Sequence, residues 1–240
     1  MQSRRLILPR SGGLKLWHDI GQELEAHGYK KPGRDRMFAI LRANGLLLER
    51  RRATAPHTTY SRHNYAVQPN LLKDLVLTRP LQALVADLTY IRVGDGFCYL
   101  SLITDAFSRK ILGYHLAKNL EHYGAVEALR MALKEISNPE EVIHHTDRGV
   151  QYCCHEFLDE LRAHNMRSSM TDADHCAQNA LAERMNGILK NEFYLDLPFL
   201  RFEDAQKAVR QAVSLYNEER PHRSLSLATP QRYHAMALAA

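Results

Sequence analysis

Leu84-Val85-Ala86-Asp87-Leu88-Thr89-Tyr90-Ile91-Arg92-Val93 is the stretch that decides the fold. It is β-rich, with an acid in its middle, and Gly94-Asp95-Gly96 follows as a hairpin turn into a second strand from Phe97 to Thr104. Ser108-Arg109-Lys110 then turns the chain into a third strand that runs through His115, so three antiparallel strands are expected. Leu84, Val85 and Leu88 place Asp87 in a strand that should be central, where an unpaired charge costs several kcal/mol. Metal binding is one of the few ways to tolerate it. A hydrogen bond to Thr89, or a pairing with Arg or Lys, is the structural alternative.

Beyond this meander the periodicity changes. Helical spacing runs from about Tyr123 to Ile136, Val142-Ile143-His144-His145 reads as a short buried strand, and Glu156 to Ala163 is helical again. Met166 to Met170 is one more strand, followed by helices at about Ala180 to Phe193 and Phe202 to Glu218. The order βββαβαβα gives the fold class α/β, a ribonuclease-H-like mixed five-stranded sheet flanked by helices. In that topology Asp87 lies inside the first strand and Asp147 just past the carboxyl end of the fourth, its neighbour. Leu181, Met185, Ile188 and Leu189 form one face of the penultimate helix, so Glu183, Asn186, Gly187 and Lys190 should project from the other. A carboxylate on such a face is ordinarily just solvated. Three carboxylates meeting at one edge, however, would be able to hold two divalent cations, an arrangement suited to moving phosphoryl groups on nucleic acid.

Upstream, Leu14, Trp17, Ile20 and Leu24 recur at helical spacing up to Gly28, and a second helical pattern carries Phe38, Ile40 and Leu41 and stops at Gly45. Two short helices around a Gly/Pro-containing turn resemble a helix-turn-helix pair; an ordinary helical hairpin is the alternative. Thr54 to Thr59 reads as linker, with a domain boundary near Thr78. Up to Pro80 the chain has 15 Lys or Arg against 6 Asp or Glu, whereas the remainder has 17 against 21. A basic leading segment that includes Arg50-Arg51-Arg52 points to DNA holding, ahead of a body with its own carboxylate site. The four cysteines form no CxxC pair, which argues against a disulfide framework or a zinc-binding leading module. No apolar run approaches the roughly 18 residues of a membrane span and no signal peptide is evident, so a cytoplasmic, nucleoid-associated protein is expected.

Several motifs in order carry a family resemblance: Gly33-Arg34-Asp35-Arg36-Met37-Phe38 with Leu41-Arg42, Asp87-Leu88-Thr89-Tyr90-Ile91, Asp105-Ala106-Phe107-Ser108-Arg109-Lys110, and His144-His145-Thr146-Asp147-Arg148-Gly149. Asn179-Ala180-Leu181-Ala182-Glu183-Arg184 and the tail Tyr216-Asn217-Glu218-Glu219-Arg220-Pro221-His222 complete the set. The chain resembles the second-frame transposases of the insertion sequence 3 group, within the DDE transposase and retroviral integrase superfamily. The 35 residues between Asp147 and Glu183 match the family's spacing.

The resemblance implies a catalytic triad of Asp87, Asp147 and Glu183 binding two Mg²⁺ or Mn²⁺ ions. It further implies cleavage and strand transfer at the terminal inverted repeats of an element, with target DNA as second substrate, and assembly as a homo-oligomer on DNA. Fusion to an upstream-frame product is part of the family pattern. Lys190 resembles the lysine with which integrases hold the DNA end; a solvated surface lysine is the alternative. His144 and His145 are expected to be structural, Asp105 a turn residue or a partner of Arg109, and Pro221-His222 a helix exit. The domains become a helix-turn-helix-like DNA-binding region at 1–50, a basic linker at 51–78 and the catalytic core with its tail at 79–240. The chain departs from the group where Leu84 replaces a usual Trp and in Asp174-His175-Cys176-Ala177-Gln178. A purely hydrolytic nuclease and an inactive DNA-binding remnant or regulator are the competing readings.

Overall fold

The structure, a computed structural model, describes residues 1–48, 66–172 and 176–240. Arg50, Arg51 and Arg52, the Thr54–Thr59 stretch and Asp174 and His175 of the second departure lie outside the described residues. Three N-terminal helices, α1 (Gln2–Ile7), α2 (Gly13–Ala26) and α3 (Arg34–Ala43), precede β1 (Ala83–Val93), β2 (Gly96–Asp105) and β3 (Ile111–Ala117). Then come α4 (Tyr123–Leu133), β4 (Ile143–Thr146), α5 (Val150–Cys153), α6 (His155–Ala163) and β5 (Arg167–Met170). The chain ends in α7 (Ala180–Glu192), α8 (Phe202–Glu218) and α9 (Pro230–Leu238).

The sheet order is β3-β2-β1-β4-β5. β1 pairs antiparallel with β2 and β2 with β3, whereas β1–β4 and β4–β5 are parallel. The expected five-stranded mixed sheet is therefore present, with β1 at its centre. Short α1, α5 and α9 escaped the sequence reading; α1 and α5 are only 6 and 4 residues long, too few for periodicity to register. For α9 a signal was on the page: Thr229 caps it by accepting from the Arg232 amide, with Pro at its start.

Helices cover both faces of the sheet. Leu84, Ala86, Ile103 and Leu112 pack against Ala128 and Leu129 of α4 and Phe157 and Leu161 of α6. Leu84, where the group usually has Trp, is wholly buried in this layer. β3 and α4 meet so closely that a Cβ on Gly113 would lie 2.1 Å from the Ala128 carbonyl oxygen, which only glycine permits. On the opposite face Leu100, Leu102 and Ile111 meet Met185 and Leu189 of α7 and Val209, Val213 and Tyr216 of α8.

The N-terminal helices pack through Leu16, Ile20, Met37 and Leu41. The buried stripe differs from the one anticipated: Leu14 and Ile40 are exposed, and Leu16 and Met37 take the inner positions at i, i+4 spacing. This helical group is seated on the body by charge. Arg4 bonds Asp19 within the group and Glu219 at the end of α8, Arg10 bonds Asp196 at 3.0 Å, and Lys15 bonds Glu192 at 2.8 Å. Part of the segment read as linker is also packed, with Leu71, Leu72, Leu75 and Leu77 lying against Ala83, Val85 and Ile143. The leucines explain it, since four apolar side chains gain from leaving water.

Candidate active site

The parallel pairing of β1 with β4 aligns Val85 with His145. Asp87 and Asp147 both lie two residues further along, and both line one small cleft with Leu88, Leu120, Gly149, Gln151 and Tyr152. Helix α7 crosses β1 and is pinned to it at two points. Asn179 donates to the Ala86 carbonyl at 3.0 Å, and Asn186 donates to the Asp87 carboxylate at 2.8 Å. The second Asp87 oxygen accepts from the Leu88 amide at 2.9 Å. Neither Thr89 nor a basic residue supplies these two bonds, so the structural alternatives for Asp87 give way to a neutral amide.

Burial and the neighbouring charge of Asp147 push the Asp87 carboxyl up to about 7, with Glu183 adding to the effect and the bonds from Asn186 and Leu88 opposing it. Asp147 and Glu183 are thus both within electrostatic reach of Asp87. Asp147 is the stronger influence; Glu183 is exposed and stands outside the residues that line the cleft. The Asp147 carboxylate is oriented by the Gly149 amide at 2.9 Å, and a Cβ at position 149 would crowd that same oxygen at 3.0 Å.

Lys190 lies half-buried with its ammonium 4.0 Å from the Tyr90 ring centroid. Burial lowers its pKa, against the opposing pull of Asp87 and Asp196, so the lysine expected on the polar face of α7 is within electrostatic reach of Asp87. Asn186, which was expected to project from that face with it, is instead buried at 5% exposure beneath Asp87. Its place three residues after Glu183 was the available signal, because i and i+3 share a helix face. Tyr152 was also missed. Its buried hydroxyl has no hydrogen-bond partner among the described residues, and burial together with Asp87 and Asp147 pushes its pKa well up.

His145 is a hydrogen-bonded structural histidine, as expected, whereas His144 is buried with neither ring nitrogen partnered among the described residues. His145 Nδ1 lies 2.8 Å from Ser169 Oγ across β4–β5, and His144 packs edge-on to Phe157, with burial and His145 pushing its pKa down to about 3. Asp105 is the turn residue expected, its carboxylate accepting from the Ser108 amide and hydroxyl, and it has His234 of α9 at 3.4 Å in place of Arg109, whose guanidinium turns to the Ala106 carbonyl. A partner 129 residues away cannot be read from local sequence. Pro221 and His222 do follow the end of α8.

With this geometry in place, comparison with known proteins is specific. Residues 78–176 and 164–230 match models of the Integrase core domain. The chain is 34% identical over 211 residues to the Insertion element IS600 uncharacterized 31 kDa protein of Shigella sonnei, covering 85% of this chain and 77% of that one. It is 33% identical over 222 residues to Transposase InsF for insertion sequence IS3A of Escherichia coli K12, covering 92% and 76%. Among solved structures, the HTLV-2 integrase catalytic core in complex with magnesium aligns with a TM-score of 0.53 at 22% identity, covering 65% of this chain and 97% of that one. A chain of the simian T-cell lymphotropic virus intasome in complex with PP2A regulatory subunit B56 gamma aligns with a TM-score of 0.56 at 20% identity, covering 89% of this chain and 70% of that one. The fold is thus that of retroviral integrase cores, and the chain belongs to the insertion sequence 3 group of DDE transposases.

Proposed function

We propose that this transposase cuts and joins DNA at the ends of its element with Asp87, Asp147 and Glu183 as the ligands of two Mg²⁺ or Mn²⁺ ions. The observation that carries this reading is the Asp87 carboxyl, pushed up to about 7 by burial and by Asp147 and Glu183. Such crowding of like charge is unfavourable in the metal-free protein and is relieved by a cation. The donor set fits: all are hard carboxylate oxygens, the ligands that Mg²⁺ prefers, and the HTLV-2 relative was solved with magnesium. When bound, such ions supply Lewis-acid activation of the attacking and leaving oxygens of a phosphodiester.

The chain's own residues do the rest. Asn186 fixes the rotamer of Asp87, the Gly149 amide fixes Asp147, and Lys190 offers a partly desolvated cation to a phosphate at the cleft mouth. The N-terminal helices and the basic run Arg50-Arg51-Arg52 hold DNA, residues 1–50 forming the DNA-binding region and 51–78 the connection to the core. Terminal inverted repeats and target DNA are the substrates, and the working form is a homo-oligomer on DNA, in keeping with the intasome of the viral relative. Fusion to the upstream-frame product completes the enzyme, which acts in the cytoplasm on nucleoid DNA.

A strand-transfer assay with labelled element-end DNA, a target duplex and Mg²⁺ tests this with the chain fused to its upstream partner. Joined product is expected from the unmodified protein, with none from Asp147→Asn although that variant still shifts end DNA in a gel. Joining by Asp147→Asn at the unmodified rate would refute the chemistry, and cleavage without joining would favour a hydrolytic nuclease.

A further inference from the structure

A second constellation of ligands lies outside the carboxylate cleft. His122 precedes α4, Cys154 caps the start of α6, and Glu156 sits in the first turn of α6. One ligand atom from each, an imidazole nitrogen, the thiol sulfur and a carboxylate oxygen, all lie within 4.8 Å of one another. Among the described residues this is the one group of three His, Cys, Asp or Glu side chains so gathered; the carboxylates of Asp87, Asp147 and Glu183 stand further apart than this. Cys154 is buried, His122 half-buried and Glu156 exposed, which leaves one side of the group open to solvent.

The mixture of nitrogen, sulfur and oxygen is the wrong set for Mg²⁺ and the right one for a borderline-soft cation, which takes three protein ligands and a water in a tetrahedral site. A thiolate and a carboxylate also carry the two negative charges that a divalent ion neutralises. The neighbouring cysteine does not compete, because Cys153 Sγ points into the core, 3.8 Å from Met170 Sδ. The backbone is held ready: Gln151 Nε2 donates to the Leu120 carbonyl at 3.3 Å, tying the segment before His122 to the segment before Cys154.

We infer that His122, Cys154 and Glu156 form a Zn²⁺ site that staples the start of α4 to the α5–α6 junction. Leu120 and Gln151, which precede these ligands, both line the cleft of Asp87 and Asp147. An ion here would therefore stiffen one wall of the cleft without touching the carboxylates. The site is distinct from the proposed Mg²⁺ centre and stands or falls separately from it.

Co²⁺ titration of the full chain in the Asp147→Asn background tests the site, since a thiolate ligand gives cobalt an intense near-ultraviolet charge-transfer band that carboxylates do not. The expected result is a band saturating at one Co²⁺ per chain, displaced by Zn²⁺, retained in Cys153→Ser, absent in Cys154→Ser and weakened at least tenfold in affinity in His122→Ala and Glu156→Ala. Zn²⁺ should also raise the melting temperature of the protein but not that of His122→Ala. Both surface-reaching variants keep the test valid if Cys154→Ser fails to fold. Absence of the band, or its persistence in His122→Ala and Glu156→Ala with undiminished affinity, would overturn the assignment.

Discussion

Two aspartates on the neighbouring strands β1 and β2, Asp87 within the one and Asp105 at the end of the other, are treated in opposite ways. Asp105, at the end of β2, is fully buried and surrounded by donors: the Leu81 amide at 3.0 Å, the Ser108 amide at 2.9 Å, the Ser108 hydroxyl and His234. Burial alone would push its pKa up, but the bonds from His234, Ser108 and Leu81 outweigh it and hold the carboxyl below its ordinary value. Asp87 has two donors, Leu88 and Asn186, and two acidic neighbours, so its pKa moves the other way. A saturated carboxylate fastens the fold. An under-satisfied one, facing its own kind, is a place where the fold accepts a cost that a bound cation removes.

This contrast can be broken most directly at Asp105. Asp105→Ala strands the Ser108 and Leu81 donors and should cost on the order of 3–5 kcal/mol in urea unfolding, with joining per folded molecule unchanged. A loss of joining without a loss of stability would erase the distinction. Asn186→Ala should do the reverse. It leaves unfolding nearly untouched and lowers joining about 10- to 100-fold, the usual effect of removing a group that orients a metal ligand. Its pH–rate profile should shift to higher pH, because the Asn186 bond lowers the Asp87 pKa; an unshifted profile would mean that Asn186 acts only through packing.

The third effect is in the pH dependence of stability without divalent ions. Asp87, raised in the folded state from 3.8 to about 7, contributes stability that is complete below its unfolded value and lost as pH rises through about 7. Asp105, lowered in the folded state, contributes stability above its unfolded value of 3.8 that is lost as pH falls through the folded one. Asp87→Asn should therefore flatten the decline between pH 4 and pH 7, as measured by thermal unfolding, while leaving the acid limb intact. An unaltered decline would place its origin elsewhere.

The sheet was legible because its strands are β-rich and separated by turn residues, and α8 because its amphipathic face runs for 17 residues. Asp87 was legible as an acid inside an apolar strand, and Asp147 as its neighbour across a parallel pair. What stayed hidden depends on partners distant in sequence. Asn186 reads as a polar-face residue until α7 is laid across β1, and the His234 partner of Asp105 is supplied by a helix at the far end of the chain. The N-terminal stripe was misplaced because Leu14, Leu16 and Trp17 fit more than one helical face, and only the packing partner α3 selects Leu16.

The seam between the N-terminal helices and the body shapes how a polyanion approaches. Arg4, Arg10 and Lys15 are already committed to Glu219, Asp196 and Glu192, so a phosphate drawn to any of them must first displace an acid and then lie beside it. On α3, by contrast, Arg36 and Arg42 are exposed, and Arg34, also exposed, bonds only its neighbour Asp35, at 2.8 Å, among the described residues. The seam's acids act as internal competitors for the cations of this segment, so its uncommitted positive charge is presented from α3 rather than from the seam.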